Sequence, residues 1–200
     1  MNENTAEFVY RMSFGLLWLV YFVIRFYFQG KVKKAGRSYE HINEKQELVY
    51  FRLFALAFLL LALYFLTPWI DFAHLGLAGG LRWLGGGITL AGIVFFAWCH
   101  QALGVNWTAV LALSDQQELV TSGPYKAIRH PMYTAFFLIG IGFFLLSANF
   151  LVALIYLTPL TVMYFARVNP EEQMMLERFG ETYREYMQHS GRLLPKLRKS

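Results

Sequence analysis

Cysteine and charge are both scarce in this sequence. Cys99 is the only cysteine and lies inside an apolar block, which excludes an internal disulfide and argues against a cysteine-based metal site. Charged residues make up 16% of the 200 residues, while hydrophobic residues make up 56% and occur in long blocks. This composition is too apolar for an ordinary soluble domain, so we expect one integral membrane domain over residues 1–200.

Several signatures of common catalytic and metal sites are also missing. HEXXH, CXXC, P-loop and GXSXG motifs are absent, and His130 has no second His or Cys at a ligand spacing, so no metal is expected. Gly85-Gly86-Gly87 and Gly140-Ile141-Gly142 lie in apolar blocks and predict close helix packing. The N-terminus lacks the basic stretch and cleavage site of a signal peptide, so residues 8–28 predict a retained helix. The net charge of +5 comes from residues flanking apolar blocks, which favours contact with membrane lipid over nucleic acid.

The apolar residues fall into four blocks, at 8–28, 49–70, 81–103 and 133–166. The last block has 34 residues and would measure about 51 Å as a single helix. A hydrocarbon core is roughly 30 Å thick, so one crossing would be too long. Ser147-Ala148-Asn149 is the polar break in this block, and we place a short helical hairpin there. The sequence thus predicts an all-α, polytopic membrane protein with about five transmembrane helices.

The basic residues predict the orientation of these helices. With the N-terminus outside and the C-terminus in the cytoplasm, 15 of the 18 Lys and Arg residues are cytoplasmic. Arg11 and Arg82 are then outside, and Arg25 lies within the first helix, where we expect it to extend to the membrane surface. Beyond the last block, Asn169-Pro170 predicts the start of a cytoplasmic helix ending at Gly180, with a second helix over 181–189.

Two polar clusters flank the last apolar block. One spans Leu119–Tyr133, and the other contains Arg167, Glu171 and Glu172. We expect them to meet at the membrane surface and form one pocket. The alternative is purely structural, because acids near a helix start are stabilised by the helix dipole, and an arginine and a glutamate four residues apart can form a surface ion pair.

The functional interpretation of this pocket is a site for a polar, adenosine-bearing cofactor. Either glutamate offers a carboxylate for ribose hydroxyls or an amino group. Leu119, Val120 and Tyr125 offer an apolar and aromatic slot for an adenine ring. Tyr133 offers an aromatic face for a sulfonium.

The motifs in the C-terminal half carry a resemblance to a known family. They are ELVTSGPY at Glu118–Tyr125, RHPMY at Arg129–Tyr133, R-x-x-x-E-E at Arg167–Glu172, FGETYREY at Phe179–Tyr186 and RLLP at Arg192–Pro195, with a similar segment before them at Gly104–Trp107. In this order and membrane context, the chain resembles the isoprenylcysteine carboxyl methyltransferase and phospholipid methyltransferase superfamily. Ala135 departs from the family, which usually has glycine there. The cofactor-binding half is then expected over 104–200.

The resemblance implies a methyltransferase that depends on S-adenosylmethionine. The family residues that contact the cofactor match Gln117, Glu118, Leu119, Val120, Tyr125, His130, Pro131, Met132, Tyr133 and Glu171. The arginine that contacts the acceptor matches Arg167.

We therefore expect methyl transfer at the membrane–cytoplasm interface to the carboxylate of a lipophilic acceptor, either a small molecule or a lipidated substrate. A carboxylate acceptor is already ionised and needs only alignment, for which Arg167 is the candidate. An amine acceptor would need a base, and Glu172 or His130 is the candidate. The alternatives are a phospholipid or small-molecule N- or S-methyltransferase of the same superfamily, and a non-catalytic or reductase relative.

Overall fold

The computed structural model describes residues 2–36, 39–41, 44–107, 112–114 and 116–196, so the last four residues of the basic tail lie outside it. Its helices are α1 (Glu3–Lys34), α2 (Glu44–Leu66), α3 (Gly79–Leu103), α4 (Pro131–Ser147), α5 (Phe150–Phe179) and α6 (Glu181–His189). Two short strands, β1 (Tyr39–His41) and β2 (Ala112–Ser114), pair antiparallel. The hydrophobic pattern did not predict this strand pair.

Five of the helices account for the apolar blocks. Helices α1, α2, α3 and α5 are long and apolar enough to cross a membrane, and α4 is a shorter apolar helix of 17 residues. The predicted all-α, polytopic membrane architecture is confirmed. The protein is an integral membrane protein whose core is a stack of aromatic and aliphatic side chains between these five helices.

The predicted hairpin is formed by α4 and α5. Ala148 adopts a left-handed conformation with φ of 51° and ends α4. Asn149 caps α5, since its side-chain oxygen accepts hydrogen bonds from the backbone N–H groups of Leu151 and Val152 at 3.0 and 3.3 Å. The polar break in the long apolar block is therefore a helix end followed directly by a helix cap.

Helix α5 corrects one prediction, because Asn169-Pro170 does not start a new helix. The helix runs unbroken from Phe150 to Phe179 and contains both Pro159 and Pro170. A proline inside a helix removes a backbone hydrogen bond and usually favours a break. Here the turns on either side of Pro170 carry side chains that are fixed by ion pairs to α2 and to the start of α4. Those tertiary contacts override the local signal. Gly180, with φ of 54°, ends α5 as predicted, and α6 follows.

Glycines allow α3 and α4 to pack backbone to backbone. A Cβ atom on Gly85 would lie 2.5 Å from the backbone nitrogen of Leu146, and one on Gly142 would lie 2.5 Å from that of Thr89. No side chain fits at either position without moving a helix. Gly140 is similarly close to the Tyr156 ring on α5. The predicted use of glycine in helix packing is confirmed for Gly85, Gly140 and Gly142, whereas Gly87 has no neighbouring atom within 4 Å.

A polar cluster ties together one end of the bundle. Arg82 at the start of α3 is 4% exposed and donates hydrogen bonds to Glu7 on α1, at 2.6 Å, and to the carbonyl of Leu146 on α4, at 3.0 Å. Arg11 on α1 pairs with Asp71, which follows α2. The starts of α1 and α3 and the ends of α2 and α4 therefore lie at this end and are joined by these contacts. The predicted site residues lie at the other end.

Candidate active site at one end of the helical bundle

A cavity of about 220 Å³ lies where α1 ends and α4 begins. Its walls come from all six helices and from the connection between α3 and α4. Most residues predicted to contact a cofactor line it, namely Gln117, Glu118, Leu119, Val120, Tyr125, His130, Met132, Tyr133 and Glu171, together with Arg167. Pro131 and Glu172 are buried nearby but do not form its lining.

Glu171 is the centre of the polar part of the cavity. Its carboxylate lies 3.2 Å from Nδ1 of His130 and accepts a hydrogen bond from the Tyr133 hydroxyl at 3.4 Å. Arg167, one turn earlier on α5, places its Nε atom 3.7 Å from the same carboxylate. The structure therefore brings together the two polar clusters that the sequence predicted would meet.

Glu172 faces away from the cavity into a network of basic side chains. It accepts hydrogen bonds from Nε of Arg129 at 2.8 Å and from Arg192 at 2.7 Å, and Nε2 of His130 lies 3.3 Å away. The backbone N–H of Arg129 also donates to the carbonyl of Gly191 at 2.8 Å. Glu172 thus joins the start of α4 to the C-terminal segment. Sequence reasoning missed this role for Arg192, although the RLLP motif contained it.

His130 lies between the two glutamates and is 8% exposed. Burial lowers the pKa of His130, but its hydrogen bonds to Glu171 and Glu172 and their negative charges outweigh this, so the pKa lies above its ordinary value. His130 therefore favours the imidazolium form as an ion-pair partner of both acids. In the described part of the chain, no group of three His, Cys, Asp or Glu side chains is arranged to hold a metal ion.

Tyr186 on α6 fixes the segment that carries Tyr125. Its hydroxyl donates to the backbone carbonyl of Tyr125. Burial raises the pKa of Tyr186 to about 12, so the hydroxyl keeps its proton and acts as a donor at neutral pH. Tyr125 is 7% exposed and its ring forms one wall of the cavity. Helix α6, which carries the FGETYREY motif, therefore acts by holding the cavity wall.

Arg167 has a second carboxylate partner that the sequence did not reveal. Glu47, in the first turns of α2, places Oε1 3.2 Å from Nε of Arg167, and their side chains are only 8% and 11% exposed. The one available signal was an acidic residue directly before an apolar block. Arg167 therefore lies between Glu47 and Glu171 on the cavity wall.

Arg25 also departs from expectation. We expected its side chain to extend to the membrane surface. Instead it is partly buried, lines the cavity, and places its guanidinium carbon 5.8 Å from the centre of the Trp107 ring. An arginine within an apolar helix is a candidate functional residue, and its place in the cavity lining favours that interpretation.

The lining chemistry fits an adenosine-bearing cofactor. The side-chain nitrogen of Gln117 donates to the carbonyl of Asn106 at 3.1 Å, while its buried oxygen Oε1 has no hydrogen-bond partner among the described residues. Such an oxygen suits a hydroxyl or amino donor from a ligand. Leu119, Val120 and Tyr125 supply the apolar and aromatic surface that a base needs.

These features define a polytopic membrane protein with a polar, partly buried cavity at one end of its helix bundle. Residues 85–177 match the isoprenylcysteine carboxyl methyltransferase (ICMT) family, which confirms the resemblance predicted from the motifs. The matched segment contains the paired glycines of α3 and α4, the cavity-lining connection and most of α5. Glu47 and Arg25 lie before it.

Individual relatives agree with this match. The chain is 35% identical over 85 residues to a protein-S-isoprenylcysteine O-methyltransferase of Schizosaccharomyces pombe, covering 42% of this chain and 36% of that protein. It is 34% identical over 76 residues to a methanethiol S-methyltransferase of Pseudomonas deceptionensis, covering 38% of this chain and 28% of that protein. The match thus spans less than half the length of these relatives.

A solved structure shares the fold. It is that of the eukaryotic intramembrane Ras methyltransferase ICMT, with a TM-score of 0.53 and 26% sequence identity. The superposition covers 77% of this chain and 53% of that one. The similarity therefore extends well beyond the segment with matching motifs, into the N-terminal helices.

Proposed function

We propose that this protein is an S-adenosylmethionine-dependent methyltransferase that methylates a lipophilic acceptor at the membrane–cytoplasm interface. The acceptor group is a carboxylate, as in the isoprenylcysteine substrates named for its relatives. Residues 104–200 form the half that binds the cofactor. The observation that carries the proposal is the cluster of Glu171, His130, Tyr133 and Arg167 on one cavity wall, within the segment that matches the family.

In the cofactor half of the cavity, Glu171 and the free oxygen of Gln117 accept hydrogen bonds from hydroxyl or amino groups. The Tyr133 and Tyr125 rings provide aromatic faces. His130 and Arg167 hold the Glu171 carboxylate in place with contacts of 3.2 and 3.7 Å. When bound, the cofactor supplies an electrophilic methyl group.

A carboxylate acceptor suits this cavity because the acids and the histidine near it are held in ion pairs, and a carboxylate needs no base to accept a methyl group. It is anionic at neutral pH and needs orientation rather than deprotonation. Arg167 is the residue that orients it, since a guanidinium can donate two parallel hydrogen bonds to a carboxylate. An amine acceptor would need a free base. Glu172 is bound by Arg129 and Arg192 and does not line the cavity, and His130 is held between two acids.

A lipophilic acceptor fits the apolar part of the cavity lining. Phe54, Phe136 and Met163 contribute apolar surface on three membrane-spanning helices. The hydrophobic part of the acceptor enters from the bilayer between helices, and the polar cofactor enters from the cytoplasm, the side on which most basic residues are placed.

A second candidate is methylation of a thiol, and one observation favours it. The relative from Pseudomonas deceptionensis is a methanethiol S-methyltransferase, and Arg167 already contacts two carboxylates, Glu47 and Glu171. If Arg167 served only to hold Glu171, the pocket would not require an anionic acceptor. The product of the reaction separates the two candidates.

Isothermal titration calorimetry of the purified protein tests the cofactor assignment. We expect S-adenosylhomocysteine to bind and NADPH not to bind. Glu171→Ala should weaken S-adenosylhomocysteine binding by about tenfold or more, since an unpaired buried polar group costs roughly 1–3 kcal/mol. Glu177→Ala is the matched control, because Glu177 lies on the same helix and is exposed. Wild-type affinity in Glu171→Ala would show that this acid has only a structural role.

A further inference from the structure

Arg25 is a cation inside the cavity with no acidic partner among the described residues. The other arginines in polar clusters of the bundle are paired: Arg11 with Asp71, Arg82 with Glu7, Arg129 with Glu172 and Arg167 with Glu47. Arg25 places its guanidinium carbon 5.8 Å from the centre of the Trp107 ring and lies close to the Tyr21 hydroxyl, and neither group carries a negative charge. A guanidinium within a membrane helix is costly and normally pairs with an anion, a carbonyl or a ligand.

The surroundings of Arg25 contain further unused polar groups. Both ring nitrogens of His100 and the hydroxyl of Tyr156 are buried and have no hydrogen-bond partner among the described residues. The His100 ring lies 4.6 Å from that of Trp107, and the Tyr156 ring lies 5.9 Å from that of Phe54. Trp107 and Phe54 both line the cavity. His100 and Tyr156 do not themselves line the cavity, so Arg25 is the group of this set that can meet a ligand there.

We propose that Arg25 is a second carboxylate-binding residue of the cavity and that it binds the carboxylate of the methyl acceptor. This inference rests on the proposed function. Arg167 is flanked by two acids that partly neutralise it, whereas Arg25 keeps its full charge for an incoming anion. The two arginines line the same cavity from α1 and α5. A carboxylate held by Arg25 therefore lies within the same space as the Arg167–Glu171 wall.

The change in charge during the reaction is consistent with a cation without an acidic partner at the position of Arg25. Methylation forms a bond between a carboxylate oxygen and the methyl carbon while the sulfur–carbon bond breaks, and the electron pair of that bond stays on sulfur. No proton is transferred, and the acceptor changes from an anion to a neutral ester. Arg25 therefore attracts the substrate strongly and the product weakly, which favours product release.

The test compares binding of two matched ligands to purified protein saturated with S-adenosylhomocysteine. One is an N-acylated S-farnesylcysteine with a free carboxylate, and the other is its carboxamide. We expect wild type to prefer the carboxylate by about tenfold or more. Arg25→Gln should abolish that preference and leave S-adenosylhomocysteine affinity unchanged. Arg52→Gln is the control, because Arg52 is exposed on α2 and lies outside the cavity lining.

Each other outcome overturns the proposal in a distinct way. If Arg25→Gln keeps the preference, Arg25 does not bind the acceptor. If it loses cofactor affinity and keeps the preference, Arg25 binds the carboxylate of the cofactor instead. If wild type itself shows no preference while it binds S-adenosylhomocysteine, the carboxylate assignment fails and methyl transfer to another group survives. If Arg25→Gln does not fold, Arg25→Met replaces it, and a carboxylate preference kept in that folded variant contradicts the proposal.

Discussion

Arg167 is the residue on which the choice of acceptor group depends most. It lines the cavity and lies between Glu47 and Glu171, with contacts of 3.2 and 3.7 Å. A guanidinium can serve an acceptor carboxylate while keeping one of these contacts, because it has five N–H donors in a planar fork. Lysine keeps the charge and loses the fork. This difference gives a direct test of its role.

We expect Arg167→Lys to lower single-turnover methyl transfer at saturating cofactor by about tenfold or more. Affinity for S-adenosylhomocysteine should stay near that of wild type, and Arg52→Lys should resemble wild type in both assays. Rapid-quench kinetics and calorimetry provide the two measurements. If transfer is unchanged but the cofactor binds more weakly, Arg167 only holds Glu171 in place.

At the level of the helices, the close approach of α3 and α4 depends on glycine. Both helices contribute to the cavity end of the bundle, so their spacing affects the site. Gly85→Ala should destabilise the protein by roughly 1–3 kcal/mol, because the added methyl group meets the Leu146 backbone in a packed interface. Gly87→Ala on the same helix meets nothing within 4 Å and should be neutral or stabilising.

Thermal unfolding in detergent, followed by fluorescence, measures both glycine variants. A lower midpoint for Gly85→Ala alone supports the interface. Equal midpoints for the two variants would show that α3 and α4 can separate without loss of stability.

Much of the architecture could be predicted from the sequence, because hydrophobic blocks and membrane thickness constrain helices strongly. The hairpin break at Ser147-Ala148-Asn149 and the helix end at Gly180 were correct for the same local reasons. Asn169-Pro170 was misread because ion pairs from distant helices hold α5 together across it. The strand pair of β1 and β2 was missed because three-residue strands leave no periodic signal.

The candidate site could also be predicted only in part from the sequence. Residues near each other in the motifs, such as His130 and Tyr133, could be assigned to the cavity from the sequence and the family resemblance. Glu47 and Arg25 could not. Glu47 is one of several charged residues before the second apolar block, Arg25 is a lone arginine within the first, and the residues they contact lie far along the chain. Only the packing of α1 and α2 against α5 and the connection after α3 reveals their positions.

For the whole molecule, the proposed orientation places the cavity at the cytoplasmic end of the helix bundle and the Glu7–Arg82 cluster at the opposite end. Cysteines at Ser38 and Ser200 in a Cys99→Ser background should react with a membrane-impermeant maleimide only from the cytoplasmic side, and a cysteine at Asn4 only from outside. Intact and permeabilised cells give the comparison. Labelling of Ser38 and Ser200 variants from opposite sides would contradict the five-helix topology.

The central claim is that the protein transfers a methyl group to the carboxylate of a lipophilic acceptor. The most direct measurement incubates purified protein with methyl-labelled S-adenosylmethionine and N-acylated S-farnesylcysteine. We predict a labelled, lipophilic product whose label is released as methanol by mild base, as expected of a methyl ester, and clearly less of this product from Glu171→Ala at a cofactor concentration below saturation. A base-stable label, or no transfer to any lipophilic acceptor from protein that binds S-adenosylhomocysteine, would contradict the account.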